Sequence, residues 1–67
     1  MDDRWRLKQH GVPVAWAEGH GAVNEIAHYA TVYSIDGPVE IEHRANGRWR
    51  RISPDHFRAV RALLKGE

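Results

Sequence analysis

P-V-E-I-E-H-R-A-N-G-R-W-R-R-I-S-P-D-H-F-R-A-V-R-A-L-L, residues 38–64, carries the clearest structural signals in the chain. Val39, Ile41 and His43 alternate with charged residues, which is typical of a strand with one buried face. The dipeptide Asn46-Gly47 tolerates the positive φ angles of a tight type I′ turn. The first half of this stretch therefore predicts a β-hairpin.

The length of the hairpin loop determines which side of the second strand is buried. A two-residue loop places Arg44 opposite Trp49 and Ile41 opposite Ile52, so that Ile52 faces the core and Trp49 lies on the charged face. A loop of three residues, 45–47, exchanges the two faces of the second strand, so that Trp49 is buried and Ile52 faces outward. Both registers stay open, because Asn-Gly favours the short loop while the size of tryptophan favours burial.

The second half of the stretch predicts a capped helix. Ser53 is a good N-cap, and Pro54 suits the first helical position because its missing N–H would be unpaired there. Phe57, Val60 and Leu64 then recur at helical spacing and form one apolar stripe, which Leu63 and Ala59 widen. We expect this stripe to pack on the sheet.

The residues before the hairpin predict two strands and another helix. Residues 4–8 and 12–17 each alternate in the manner of a strand. Residues 22–35 are typical of a helix, because six of them share one face: Ala22, Val23, Ile26, Tyr29, Ala30 and Tyr33. Val32 and Ile35 lie off that face, and Gly37-Pro38 is a typical helix stop. A strand competes for 22–35, because the segment is rich in Tyr, Thr, Val and Ile and Asp36-Gly37 is also a turn signal. We prefer the helix, since periodicity usually outweighs propensity.

Taken together, the chain of 67 residues predicts a single small α+β domain over 1–67. We expect an antiparallel sheet of three to four strands with two helices on one face, in the order β-β-α-β-β-α. No apolar run approaches the roughly 20 residues of a membrane span. The opening residues lack the apolar core of a signal peptide and the chain has no cysteine, so we expect a cytoplasmic protein without disulfides.

Charge is distributed unevenly along the chain. Residues 44–65 contain seven bases and one acid, whereas residues 1–43 contain three bases and seven acids. Such asymmetry suggests a polyanionic partner for the basic part. The alternative is that the two halves neutralise each other in space, which is equally compatible with a net charge of +1.

The sequence contains no recognisable catalytic or metal-binding pattern. None of its five histidines stands four residues from another, which is the spacing of a helical zinc site, and no cysteine assists them. The two serines, Ser34 and Ser53, lie outside any nucleophile-elbow context. We therefore expect a non-enzyme that uses no metal and no cofactor.

Our first hypothesis is a nucleic-acid-binding module, in which arginines of the hairpin and of the last helix converge on one uncovered surface. They would neutralise phosphates, and an exposed Trp49 would stack on an unpaired base. The predicted contact residues are Arg44, Arg48, Trp49, Arg50, Arg51, Arg58, Arg61 and Lys65.

The alternative hypothesis is a protein-interaction module, such as a small inhibitor, adaptor or regulatory protein. Aromatic and arginine side chains are common anchors at protein interfaces, and the basic part suits an acidic protein surface. A third hypothesis is a homodimer, because small cores often need self-association for stability. None of these hypotheses involves a membrane.

Overall fold

The computed structural model describes residues 4–65, with side chains for residues 4–63. Its elements confirm the predicted α+β class and the order β-β-α-β-β-α. They are β1 (Arg4–Gln9), β2 (Val12–Glu18), α1 (Ala22–Tyr33), a short 3₁₀ turn (Ser34–Asp36), β3 (Glu40–Ala45), β4 (Arg48–Ile52) and α2 (Pro54–Lys65).

The four strands form one antiparallel sheet in the order β2-β1-β3-β4. The first hairpin, β1-β2, and the second, β3-β4, are joined through α1, which returns the chain so that β3 pairs with β1. Strands β1 and β3 are thus central, while β2 and β4 are the edges. Arg6 on β1 and Glu42 on β3 are therefore direct neighbours in the sheet.

The second hairpin has the two-residue loop. Arg44 pairs with Trp49 and Ile41 pairs with Ile52, as the short loop requires. The loop residues, Asn46 and Gly47, have φ angles of 53° and 75°, in the left-handed region that a type I′ turn uses. The three-residue loop is therefore excluded. Trp49 does not enter the core.

The core lies on one side of the sheet, beneath both helices. Leu7 on β1 and Ile26 on α1 are fully buried and form its centre. Phe57 on α2 reaches the same layer and contacts Trp5 edge-on, with ring centroids 5.7 Å apart. The other buried members are Ala15, Ala17, Ala22 and Val23. Two helices on one face leave the opposite face of the sheet without a helix.

The helix predicted for residues 22–35 is confirmed, as α1 followed by the 3₁₀ turn. Buried Gln9 links β1 to the end of this helical segment. Its Nε2 donates to the carbonyl oxygen of Tyr33 at 2.8 Å and to that of Gly37 at 3.2 Å. Val32 and Ile35 lie off the main apolar face of this helical segment, and both are exposed. Tertiary packing has therefore overruled the local β-propensity of this segment.

Helix α2 starts as predicted, because the Ser53 hydroxyl accepts a hydrogen bond from the backbone N–H of His56 at 3.1 Å. Its apolar stripe is only partly covered. Phe57 is buried and Val60 half-buried, whereas Leu63 is 76% exposed. The side chain of Leu64, which was predicted to join the stripe, lies outside the described residues. Helix α2 is thus attached to the sheet chiefly through its first two turns.

Candidate interaction surface

The face of the sheet that points away from both helices is rich in charged and aromatic side chains, and we call it the open face. The strand pairings place five cations, three carboxylates and two indole rings on it. Its members are Arg4, Arg6, Lys8, Trp16, Glu18, Glu40, Glu42, Arg44, Trp49 and Arg51.

At the centre of the open face, Glu42 on β3 is shared by two cations of β1. Its Oε1 accepts from the Nε of Arg6 at 2.5 Å, and its Oε2 lies 4.0 Å from the Nζ of Lys8. The side chains of Glu42 and Arg6 are 13% and 20% exposed, so this pair is shielded from most solvent. Glu42 therefore neutralises one of the two positive charges beside it, and the three residues together keep a charge of +1.

Trp49 is half-buried under two guanidinium groups. The Cζ of Arg6 lies 4.3 Å from the indole ring centre, and that of Arg44 lies 5.8 Å away. The predicted contact with Arg44 is present, but the closer contact with Arg6 was missed. The alternation of residues 4–8 placed Arg6 on a charged strand face. What the sequence lacked was the strand order that brings this face beside Trp49.

Trp16 is the more accessible indole of the open face. It stands opposite Arg6 on the edge strand β2 and is 59% exposed. Together with Trp49 it borders a shallow depression of about 460 Å³ at the end of the sheet where β1 begins. Glu18 on β2 and Glu25 on α1 also line this depression, as does Arg4. We call it the Trp16–Trp49 notch. Its lining combines the two indole rings of the open face and that of Trp5 with two carboxylates and one guanidinium.

The structure divides the predicted contact residues of the hairpin between the two faces of the sheet. Arg44, Trp49 and Arg51 belong to the open face. The other two arginines, Arg48 and Arg50, alternate with them and lie on the helix side. On that side His43, the partner of Arg50, stacks on Trp5 with ring centroids 4.3 Å apart. The hairpin therefore does not present all its arginines on one surface.

The predicted contact residues of α2 lie on the helix side as well. Arg58 and Arg61 line a groove between α2, α1 and the sheet. The side chain of Lys65 lies outside the described residues. The basic positions of the hairpin and of α2 are thus shared between two surfaces that face in different directions.

Several of the predicted arginines already have carboxylate partners. Arg51 donates to Glu40 at 3.0 Å, and Arg58 lies 3.6 Å from Asp55. Both pairs are exposed to solvent, so each contributes little to stability. Arg48 and Arg50 form no ion pair with any residue that the structure describes.

Within residues 4–65, no group of three or more His, Asp or Glu side chains is arranged to hold a metal ion. None of the helices in this range is long and apolar enough to cross a bilayer. No protein family, no curated protein and no solved structure matches the chain. Its own geometry is therefore the basis for a functional proposal.

Proposed function

We propose that this chain is a protein-interaction module whose Trp16–Trp49 notch receives a cationic side chain of its partner. The observation that carries this proposal is the composition of the notch, in which Glu18 and Glu25 line the same depression as the exposed indole ring of Trp16. Aromatic faces attract cations, and carboxylates nearby strengthen the attraction. A lysine or arginine of the partner fits both requirements.

The accessibility of Trp16 supports an interface on this face. Tryptophan and arginine dominate the binding energy of protein interfaces, where a few anchors are surrounded by a polar rim. Trp16 is 59% exposed, while Arg6 and Trp49 beside it are held in place by contacts within the sheet. Anchors that are already ordered lose little conformational entropy on binding.

The same residues disfavour nucleic acid as the ligand of the open face. Among the described residues of this face, Trp16 is the only indole that is largely exposed. A phosphate that approached it would be repelled by the carboxylates of Glu18 and Glu25. The Trp49 ring already has the guanidinium of Arg6 over it, and Arg6 and Arg51 are paired with glutamates. The open face keeps an excess of two positive charges, but Arg6, Lys8 and Arg51 each lie beside a glutamate, which weakens their attraction for a polyanion.

Nucleic-acid binding remains a second candidate at a different place, the outer edge of β4. Arg48 and Arg50 are exposed there and form no ion pair with the described residues. Unpaired arginines on an edge strand are suited to phosphate contacts, and such binding weakens steeply with salt. Arg50→Gln would then reduce oligonucleotide binding, while Trp16→Ala would leave it unchanged.

The test compares three immobilised forms of the protein in an extract of the source cells: the wild type, Trp16→Ala, and Leu63→Ala as the matched control. Leu63 is an exposed apolar residue of α2, away from the open face. We expect the wild type and Leu63→Ala to retain the same proteins after nuclease treatment, and Trp16→Ala to lose them. Equal retention by all three forms, or retention that nuclease abolishes, would contradict the proposal.

A further inference from the structure

A groove of about 670 Å³ runs along the helix side of the sheet, between α1, α2 and the strands β3 and β4. Its floor is apolar. Ile41 and Ile52 form the sheet side, Ala30 the α1 side and Phe57 the α2 side. Pockets for small ligands have volumes of about 300–1,000 Å³ and mostly apolar walls with a few polar groups. The groove has this size and this composition.

Arg61 introduces an unusual polar group at this groove. Its side chain is half-buried, one helical turn after Phe57 on the same side of α2. The Nε atom is shielded from solvent and has no hydrogen-bond acceptor. It is the only such side-chain atom among the residues that the structure describes. A shielded donor on a charged group is costly when it lacks an acceptor.

The remaining charges at the groove do not supply an acceptor to Arg61. Glu40 also lines the groove, but its carboxylate accepts from Arg51 at 3.0 Å. Arg58, one turn before Arg61, adds a second guanidinium, and its own partner Asp55 is 94% exposed at 3.6 Å. The groove therefore has an apolar floor and an excess of positive charge on its α2 side.

We propose that this groove binds a small molecule with an apolar body and one carboxylate group. The apolar body would cover Ile41, Ile52 and Phe57. The carboxylate would accept two parallel hydrogen bonds from the guanidinium of Arg61, after rotation about the terminal bonds of that flexible side chain. Arg58 stabilises the same negative charge at longer range. This groove shares no lining residue with the Trp16–Trp49 notch and is independent of it.

The experiment titrates ¹⁵N-labelled protein with decanoate below its micelle concentration and follows the amide signals of α1, α2, β3 and β4. We expect saturable shifts around the groove and none at Trp16. Decanol, which has the same chain length without the charge, should bind about tenfold more weakly. Equal binding of decanol, or no saturable shifts with decanoate, would overturn the proposal.

Variants separate the role of Arg61 from general loss of structure. Arg61→Gln should weaken decanoate binding about tenfold, because the two charge-assisted hydrogen bonds to the carboxylate are lost. Arg61→Lys keeps the charge but loses the planar set of N–H donors, so its affinity for decanoate should lie between that of the wild type and that of Arg61→Gln. Arg48→Gln removes an arginine that does not line the groove and should stay within about twofold of the wild type. Unchanged affinity in Arg61→Gln, with its helix content intact by circular dichroism, would contradict the assignment.

Discussion

The guanidinium carbon of Arg6 on β1 lies 4.3 Å from the centre of the Trp49 ring on β4, across the intervening strand β3. The same guanidinium donates to Glu42 on β3 at 2.5 Å. One side chain therefore connects the two hairpins on the face without helices. It also fixes the orientation of Trp49, which forms one wall of the notch.

Removing this connection should loosen the open face. Arg6→Ala leaves Glu42 partly shielded without its closest donor and uncovers the Trp49 ring. We expect a loss of about 1–2 kcal/mol in the free energy of unfolding, measured with urea, and a shift of the Trp49 indole signal in NMR spectra. The control is Arg51→Ala, whose ion pair is exposed, with an expected loss within about 0.5 kcal/mol. Equal losses in the two variants would show that shielding of the Arg6 pair does not matter.

Gln9 should be important for the attachment of α1. Its amide satisfies two backbone carbonyl groups at the end of that helix, and Gln9→Ala would leave both without this donor. We expect the variant to lose about 1–3 kcal/mol of stability and to exchange its amide hydrogens faster near Tyr33. Thr31→Ala removes an exposed hydroxyl that only bonds back within the helix, and it should change stability by less than about 0.5 kcal/mol. A Gln9→Ala variant as stable as Thr31→Ala would contradict this reading.

The N-cap of α2 should control the stability of that helix. Ser53→Ala removes the acceptor of the His56 N–H, with an expected loss of about 1 kcal/mol. The matched control is Ser34→Ala. The Ser34 hydroxyl donates to the carbonyl oxygen of Thr31 on α1 and does not cap a helix N-terminus. Urea denaturation and the helical signal in circular dichroism measure the effect. A loss no larger than that of Ser34→Ala would mean that Ser53 does not act as a cap.

The turn of the second hairpin should require glycine at its second position. Gly47 has a φ of 75°, and no atom beyond its neighbours lies within 4 Å of where a Cβ would stand. Any cost of Gly47→Ala therefore arises from backbone conformation alone, and we expect about 1 kcal/mol. The control is Gly47→Asn at the same position, because asparagine tolerates the left-handed region better than alanine. The control should lose less stability than Gly47→Ala. Matching losses would exclude the left-handed strain as the cause.

The elements of the fold could be predicted because each has a local signal. Alternation revealed β1 and β3, and Ser53-Pro54 marked the start of α2, whereas Asn46-Gly47 favoured the two-residue loop without deciding it. These features depend on residues that are close in sequence. The two-residue loop places Trp49 on the open face of the sheet. The size of the tryptophan side chain alone would have favoured burial.

The candidate site could not be predicted in the same way, because it depends on contacts between distant segments. The sequence contains no signal for the placement of β1 between β2 and β3, which brings Arg6 to Trp49 and Trp16 to the same face. The linear cluster of bases in residues 44–65 was misleading as a picture of the surface. A strand sends successive side chains to opposite faces, so neighbouring arginines such as Arg50 and Arg51 point apart.

The central claim, that the notch holds a cationic side chain of a protein partner, is tested most directly by site-specific photo-crosslinking in the source cells. A benzophenone amino acid, which is aromatic and of similar size, replaces Trp16, and in a control it replaces Ile35, an exposed residue after α1. We predict protein adducts from position 16 whose attachment points, located by mass spectrometry, lie beside a lysine or arginine. Adducts that are mainly nucleic acid, or the same adducts at equal yield from position 35, would contradict the account.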